Sequence, residues 1–323
     1  MAVQQLQGDM LQAEQILSPE ERQIAVIWRR FSKHRLALLG GVILGVFVLL
    51  ALLAPVLAPA VPRGSNLTQV GLLPDPNAID LVNQHVKPGV QGHILGTDEV
   101  GRDILSRLLH AARVSLYVGL MATLGAEIIG ALVGATSGYY GGSTDSILMR
   151  ATDFMLTLPL LPILLVLSVM LVKTASDWSF GFLGTTVIIP STFIRLNLLI
   201  IILVAFGWMS PARLVRGVVL SLRQQEFTEA SRALGASDLR VILRHMLPNA
   251  LAPIIVSFTL SVGDYIVLEA ALSFLGFGVQ PPTASWGNML TRVQDYMLTN
   301  PMLAIWPGLC IFLTVLSDRK SVV

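Results

Sequence analysis

The sequence predicts an all-α polytopic membrane protein with six transmembrane helices. Apolar residues make up 54% of its 323 positions and charged residues only 13%, whereas roughly a quarter of the residues in a soluble domain are charged. Six apolar segments alternate with polar stretches, at about 36–61, 114–139, 147–172, 196–212, 250–277 and 302–316. Segments of this length and composition cross a membrane as helices, and six crossings return the chain to the side where it began.

Residues 1–35 are predicted to form a cytoplasmic tail that contains an amphipathic helix along the membrane surface. A capping box with proline at 18–21 begins this helix, and Trp28 suits the membrane–water interface. Basic residues directly precede the first apolar segment: Arg29, Arg30, Lys33 and Arg35. The positive-inside rule therefore places the N-terminus, and with it the C-terminus, in the cytoplasm. The tail is too long and polar for a cleavable signal peptide, so 36–61 is predicted to be the first transmembrane helix.

The loop at 62–113 is predicted to be external, because its five basic and five acidic residues give it no positive bias. It contains the run GTDEVGRDILSR at 96–107. One interpretation is a solvated helix start with charged pairs four residues apart. The alternative is a contact with substrate.

Residues 114–316 are predicted to form a five-helix core with a long cytoplasmic loop at 213–248. This loop has a basic excess of six arginines over three acidic residues, which agrees with a cytoplasmic position. A further insertion at 173–194 is predicted to be an external elaboration.

The most informative part of that loop is 226–248, which predicts two short helices joined at a glycine. Phe227, Ala230 and Leu234 share one helical face, and Glu229 and Arg232 lie one turn apart on the polar side. Gly235 suits a left-handed helix end, Ser237 can begin the second helix, and Pro248 can open the next transmembrane helix. Such a hairpin predicts docking into a groove of another protein; the alternative is a basic surface helix on anionic lipid.

The spacing of Glu229-Ala230-Ser231, Gly235 and Leu247-Pro248 resembles the EAA loop of the membrane subunits of ABC importers. Ser231 replaces the second alanine of that pattern, and His245 stands where the family usually has isoleucine. The run at 96–107 is similar to the Gly-Thr-Asp-x-x-Gly-Arg-Asp motif of dipeptide and oligopeptide permeases. With further matches along most of the chain, the sequence resembles the inner-membrane permease subunits of the dipeptide, oligopeptide and nickel family of ABC importers.

The resemblance implies a type I importer bundle that carries di- or oligopeptides and has no ATPase site of its own; nickel or another small solute is the alternative cargo. The implied partners are a second homologous permease, two ATP-binding subunits, an extracytoplasmic binding protein and membrane lipid, with no nucleic acid. The residues implied to couple to the ATPase are Glu226, Glu229, Ala230, Ser231, Gly235, Leu247 and Pro248. No cofactor or metal is expected, since the chain has one cysteine and five scattered histidines.

Acidic residues within the apolar segments call for an explanation, because an unpaired charge at membrane depth is costly. Asp264 and Glu269 are predicted to line or gate a polar path, with structural pairing between helices as the alternative. A rival function is a secondary transporter driven by protons through Glu127, Asp264 and Glu269. An intramembrane enzyme is disfavoured because no histidine lies well inside an apolar segment.

Residues 317–323 are predicted not to be native. The last apolar segment spans only ~22 Å as a helix, against a hydrocarbon layer of ~30 Å. The hexapeptide DRKSVV that follows at 318–323 is what a common sequencing adapter encodes in one reading frame.

Overall fold

The computed structural model describes residues 35–60, 71–172, 178–182 and 185–321. The amphipathic helix predicted within 1–35 falls almost wholly outside these ranges. The helices are α1 (Arg35–Leu57), α2 (Ile104–Tyr140), α3 (Gly142–Thr157), α4 (Leu160–Leu167), α5 (Ser191–Ala205), α6 (Met209–Leu222), α7 (Glu226–Ala233), α8 (Asp238–Val241), α9 (Leu247–Asn249), α10 (Leu251–Phe274), α11 (Val293–Tyr296) and α12 (Met302–Ser321).

The prediction of a helical polytopic membrane protein is confirmed. Among the described residues, α1, α2, α10 and α12 are each long and apolar enough to cross a membrane. The pair α3–α4 is bent by 84° and the pair α5–α6 by 45°, so the count rises to six if each bent pair is one span. Pro159 precedes α4, and Gly207 lies between α5 and α6. Proline removes a backbone donor and glycine weakens a helix, which explains breaks at these two points.

Helix α2 begins ten residues earlier than the predicted second segment, inside the loop predicted at 62–113. The carboxylate of Asp103 accepts a hydrogen bond from the backbone N–H of Ser106 at 2.8 Å and starts the helix as its N-cap. The helix has 37 residues, or ~55 Å at the helical rise. It therefore extends beyond the ~30 Å hydrocarbon layer.

Helices α2 and α6 pack closely along a row of glycines. Gly130, Gly134 and Gly138 follow one another at intervals of four residues on α2. A Cβ atom added at Gly134 would lie 2.3 Å from the carbonyl oxygen of Ala212 and 2.9 Å from the backbone nitrogen of Arg216. The row thus lets the two backbones touch, as small residues do in membrane helix pairs.

The insertion at 173–194 contains an antiparallel hairpin of β1 (Trp178–Phe182) and β2 (Thr185–Ile189). This hairpin departs from the all-α prediction, and its β-branched and aromatic residues suit a strand.

Helix α12 continues past the predicted end of the sixth segment to Ser321. Whether 317–323 are native is a question about the gene that a helical conformation does not test, and it stays a prediction.

Candidate functional site

The hairpin at 226–248 has the predicted helix–glycine–helix form. Gly235 has a φ of +79° and ends α7 as predicted. Its N–H donates to the carbonyl of Arg232 at 2.9 Å, and the N–H of Ala236 donates to the carbonyl of Ser231 at 3.1 Å. These two bonds form a Schellman motif, which turns the chain so that α8 begins at Asp238.

Helix α7 packs on the membrane core through its threonine and presents its other faces outward. Thr228 is fully buried and donates to the carbonyl of Leu222 at 2.9 Å. Phe227 is half-buried, whereas Ala230 is exposed and Leu234 is 87% exposed. The predicted apolar face therefore exists and is largely uncovered in the isolated chain.

The acidic residues of α7 are also available. Glu226 and Glu229 are exposed and form no ion pair within the described part of the chain. Although Glu229 and Arg232 lie one turn apart, Arg232 turns away from Glu229. Its guanidinium lies 4.7 Å from the centre of the Tyr139 ring, a cation–π contact.

Tyr139 connects the hairpin to the end of α2. Its hydroxyl donates to Asp238 Oδ1 at 2.6 Å and accepts from Arg232 Nε at 3.3 Å. One buried side chain thus holds both short helices of the hairpin. The glycine-flanked pair of tyrosines at 139–140 is visible in the sequence, but nothing local to it indicates these two distant partners.

The second half of the hairpin is packed into the core. Val241 and Met246 are fully buried in a cluster with residues of α2 and α6, and Leu247 packs against that cluster. Pro248 is exposed in the first turn of α9, where its missing N–H costs nothing. The second half of the hairpin is therefore in direct packing contact with α2 and α6.

A carboxylate joins α2, α3 and α6 beside this cluster. Asp145 accepts hydrogen bonds from Arg216 Nε at 2.5 Å and Nη2 at 2.7 Å, a bidentate pair, and from the Ser137 hydroxyl. Asp153 pairs with Arg213, also on α6. The two partners are 60 and 71 residues away in the chain, so local spacing could not reveal them.

The two residues predicted to line a path have different environments. Asp264 has a side chain that is 66% exposed, and it lines a cavity of about 260 Å³ between α10 and the two bends at α3–α4 and α5–α6. Its carboxylate pairs with Arg319 at 2.8 Å, a residue of the segment predicted not to be native.

Glu269 is fully buried and is not among the residues that line the cavity beside Asp264. It accepts hydrogen bonds from Ser273 at 2.6 Å and from Ser115 at 3.0 Å. The Ser115 hydroxyl in turn accepts from the N–H of Trp286 at 3.2 Å. Glu269 thus joins α2, α10 and the loop after α10. This arrangement corresponds to structural pairing between helices, the alternative to a role in lining a polar path.

Glu127 is a third acidic group at membrane depth. It is 3% exposed, and its Oε1 accepts from the Ser257 hydroxyl at 2.6 Å. Its Oε2 has no partner in the part of the chain that the structure describes.

The motif at 96–107 forms one of the predicted charged pairs, in a buried setting. Arg102 Nε lies 2.7 Å from Asp98 Oδ2, four residues apart. Asp98, Asp103 and Arg107 are buried rather than solvated. The expectation of a solvated helix start is therefore wrong in its exposure. Its pairing is right for Asp98 with Arg102, whereas Arg107 lies 3.7 Å from the Asp98 carboxylate and does not pair with Asp103.

Comparison with known proteins agrees with this architecture. The family model described as "Binding-protein-dependent transport system inner membrane component" matches residues 129–317, which include the hairpin, Asp264 and Glu269. The model described as "N-terminal TM domain of oligopeptide transport permease C" matches residues 23–74.

Curated relatives match over most of their length. The glutathione transport system permease protein GsiD of Escherichia coli O157:H7 is 36% identical over 290 residues, covering 90% of this chain and 84% of the relative. The dipeptide transport system permease protein DppC of Alkalihalophilus pseudofirmus is 37% identical over 304 residues, covering 92% and 88%. DppC of Bacillus subtilis is 36% identical over 278 residues, covering 86% and 76%.

Proteins of this family are inner-membrane subunits of ABC importers, which also contain ATP-hydrolysing and substrate-binding components. The chain belongs to the family of binding-protein-dependent transport system inner membrane components, among the permease subunits of the dipeptide and oligopeptide group.

Proposed function

We propose that this chain forms one half of the translocation path of an ATP-driven importer for di- and oligopeptides. The observation that carries the proposal is the hairpin: an uncovered face with Leu234 and Ala230, next to exposed Glu226 and Glu229. An exposed apolar patch rimmed by charges is typical of a protein–protein interface. The proposed occupant is a groove of an ATP-binding subunit.

The contacts of the hairpin support a coupling role. Its first helix is held to α2 through Arg232 and Tyr139, and its second half is packed into the α2–α6 core through Met246. A displacement imposed on Leu234 by the ATPase is therefore passed to helices that cross the membrane. In this proposal Ser231 and Gly235 set the angle of the turn, and Leu247 and Pro248 lead it into α10.

The proposed assembly contains this chain, a second homologous permease, two ATP-binding subunits and an extracytoplasmic binding protein. This chain has no ATPase site of its own, and its N- and C-termini face the cytoplasm. The basic residues before α1 and in the 213–248 loop support that orientation.

The names of the relatives support a peptide cargo. They are permeases of dipeptide and glutathione transport systems, and glutathione is itself a small peptide. A nickel complex or a proton-driven mechanism has no comparable support.

We place the path beside Asp264, whose cavity meets both helix bends. Bent helices can change their angle with little loss of packing, which suits alternating access. Glu269 then acts next to the path as a positioning residue, because it joins three elements through buried hydrogen bonds.

The test is peptide-stimulated ATP hydrolysis and uptake by the complete importer in proteoliposomes with its binding protein. Leu234→Ser removes the exposed apolar contact, and Gly235→Asp places a side chain at a positive φ that favours glycine. Both variants are expected to insert normally, to lose the co-purifying ATP-binding subunit and to lose coupled hydrolysis. Leu298→Ser is the matched control, because Leu298 is a fully exposed leucine outside the hairpin.

Two results would count against the proposal. Normal uptake by Gly235→Asp would remove the docking role of the hairpin. Uptake that survives ATP depletion but not an uncoupler would favour the proton-driven rival.

A further inference from the structure

A polar cavity lies near the N-terminal end of α2, where three parts of the chain meet. Its volume is about 250 Å³, and its walls come from the 98–107 segment, the 273–281 segment and the 288–303 segment. The charged residues that line it are Asp98, Glu99, Arg102, Arg107 and Arg292. It shares no lining residue with the cavity beside Asp264.

Paired charges fix one wall of this cavity. Asp98 accepts from the backbone N–H of Arg102 at 2.9 Å and from its Nε at 2.7 Å. Arg107 is 3% exposed; its Nε lies 3.7 Å from the Asp98 carboxylate, and its Nη1 donates to the carbonyl of Pro76 at 3.3 Å. Separating buried paired charges is costly, so this wall is preorganised.

A second part of the cavity wall is held by the Glu269 network. Ser273 lines the cavity while its hydroxyl donates to Glu269 at 2.6 Å and accepts from the N–H of Val279 at 2.9 Å. Groups that are held by a second layer of hydrogen bonds keep their geometry when a ligand binds.

Two charges at the cavity still have free hydrogen-bonding capacity. In the described part of the chain, Glu99 receives one long hydrogen bond, from Arg102 Nη2 at 3.4 Å, although a carboxylate can accept about four. The guanidinium of Arg292 is exposed and has no ion pair or hydrogen bond among the described residues. An available anion and an available cation in one cavity complement a ligand that carries both charges.

We infer that this cavity binds a short free peptide in its zwitterionic form, with Glu99 receiving the α-ammonium group and Arg292 the α-carboxylate. The volume equals that of about eight water molecules in the liquid, which suits the backbone of a dipeptide. The inference rests on the proposed peptide cargo and adds to it a recognition site, at the predicted external face, for both ends of the cargo.

The test is calorimetric titration of the assembled importer in lipid nanodiscs without its binding protein. The ligands are glycylglycine, N-acetyl-glycylglycine and glycylglycine amide, and the variants are Glu99→Gln and Arg292→Gln. Asp295→Asn is the matched control, because Asp295 is exposed, lies three residues from Arg292 and does not line the cavity.

Wild type is expected to bind glycylglycine, and blocking either end should weaken binding about tenfold or more, since each block removes a charge-assisted hydrogen bond. Acetylation of the peptide's amino group should weaken its binding to wild type and to Asp295→Asn. The Glu99→Gln variant should bind the acetylated and the free peptide with equal, weakened affinity. Amidation of the peptide's carboxylate should likewise weaken its binding to wild type and to Asp295→Asn, whereas Arg292→Gln should bind the amidated and the free peptide with equal affinity. This double-cycle design assigns each peptide end to one residue.

The inference is overturned if wild type does not bind glycylglycine or if every variant responds equally to the blocked ligands. ATP-driven uptake with the binding protein is measured on the same wild-type preparation. Uptake without cavity binding overturns this inference alone, whereas failure of ATP-dependent peptide uptake overturns the proposed function.

Discussion

The contact between α2 and α6 predicts a large effect from one added methyl group. In Gly134→Ala, the new Cβ atom would lie 2.3 Å from the carbonyl oxygen of Ala212 and 2.9 Å from the nitrogen of Arg216, whereas ordinary contacts begin at 3.4 Å. Both neighbours are backbone atoms, so no side chain can rotate away. The helices must separate by about 1 Å, and overpacking of this kind costs about 1–3 kcal/mol.

The matched control is Gly217→Ala on α6. A Cβ at Gly217 meets nothing within 4 Å. Both substitutions gain about 0.5–1 kcal/mol of helix propensity, so this gain cancels in the comparison. The difference between the two variants then isolates the packing cost. Gly138→Ala should fall between them, since its Cβ would lie 3.0 Å from its nearest neighbours.

The assay heats the assembled importer in nanodiscs and follows the folded permease by fluorescence-detected size-exclusion chromatography. At about 2–4 °C per kcal/mol, the midpoint of Gly134→Ala should lie about 2–12 °C below that of Gly217→Ala. Equal midpoints, within about 1 °C, would refute the close backbone contact, because a 2.3 Å approach cannot be absorbed without cost.

Three further changes are measured by the same midpoint, with uptake as a second measurement. Arg216→Lys loses the bidentate geometry toward Asp145 and should cost about 1 kcal/mol, more than Arg213→Lys in its exposed ion pair; equal shifts would contradict this. Glu269→Gln keeps an acceptor oxygen for one serine and offers an N–H donor to the hydroxyl oxygen of the other, so it should retain most uptake. Glu269→Leu leaves their hydroxyls unsatisfied and should cost about 1–3 kcal/mol, so identical behaviour of the two variants would argue against the network. Asp103→Ala removes the N-cap of α2 and should cost about 1–2 kcal/mol, whereas Asp103→Asn should retain most of the cap; loss by both would point to the His93 contact at 2.8 Å.

Local features of the fold were predictable from the sequence. The apolar segments indicate the spans because membrane helices must be long and apolar. Gly235 and Pro248 mark the ends of short helices because their backbone preferences act within a few residues. The pairing of Asp98 with Arg102 follows from their separation of four residues.

Long-range features were not predictable in the same way. The partner of Asp145 is Arg216, 71 residues away, and no local pattern selects it over a nearer arginine. The start of α2 is not visible as an apolar run, because polar residues such as the buried Arg107 and the half-buried His110 interrupt its apolar signal. Glu269 accepts from Ser273, which is four residues away on the same helix, but another partner, Ser115, is 154 residues away and meets it only in the folded chain.

The length of α2 has a mechanical consequence. At one end the helix carries Arg107, which lines the polar cavity, and at the other Tyr139, which holds the hairpin. If this rod of ~55 Å tilts by about 5° around its midpoint, each end moves about 2.4 Å in opposite directions. That displacement approaches the width of an atom, enough to open one set of contacts while closing the other. The two ends of α2 would then move together but in opposite directions, which links the two faces of the membrane. The glycine row that packs against α6 lies near the end that holds the hairpin.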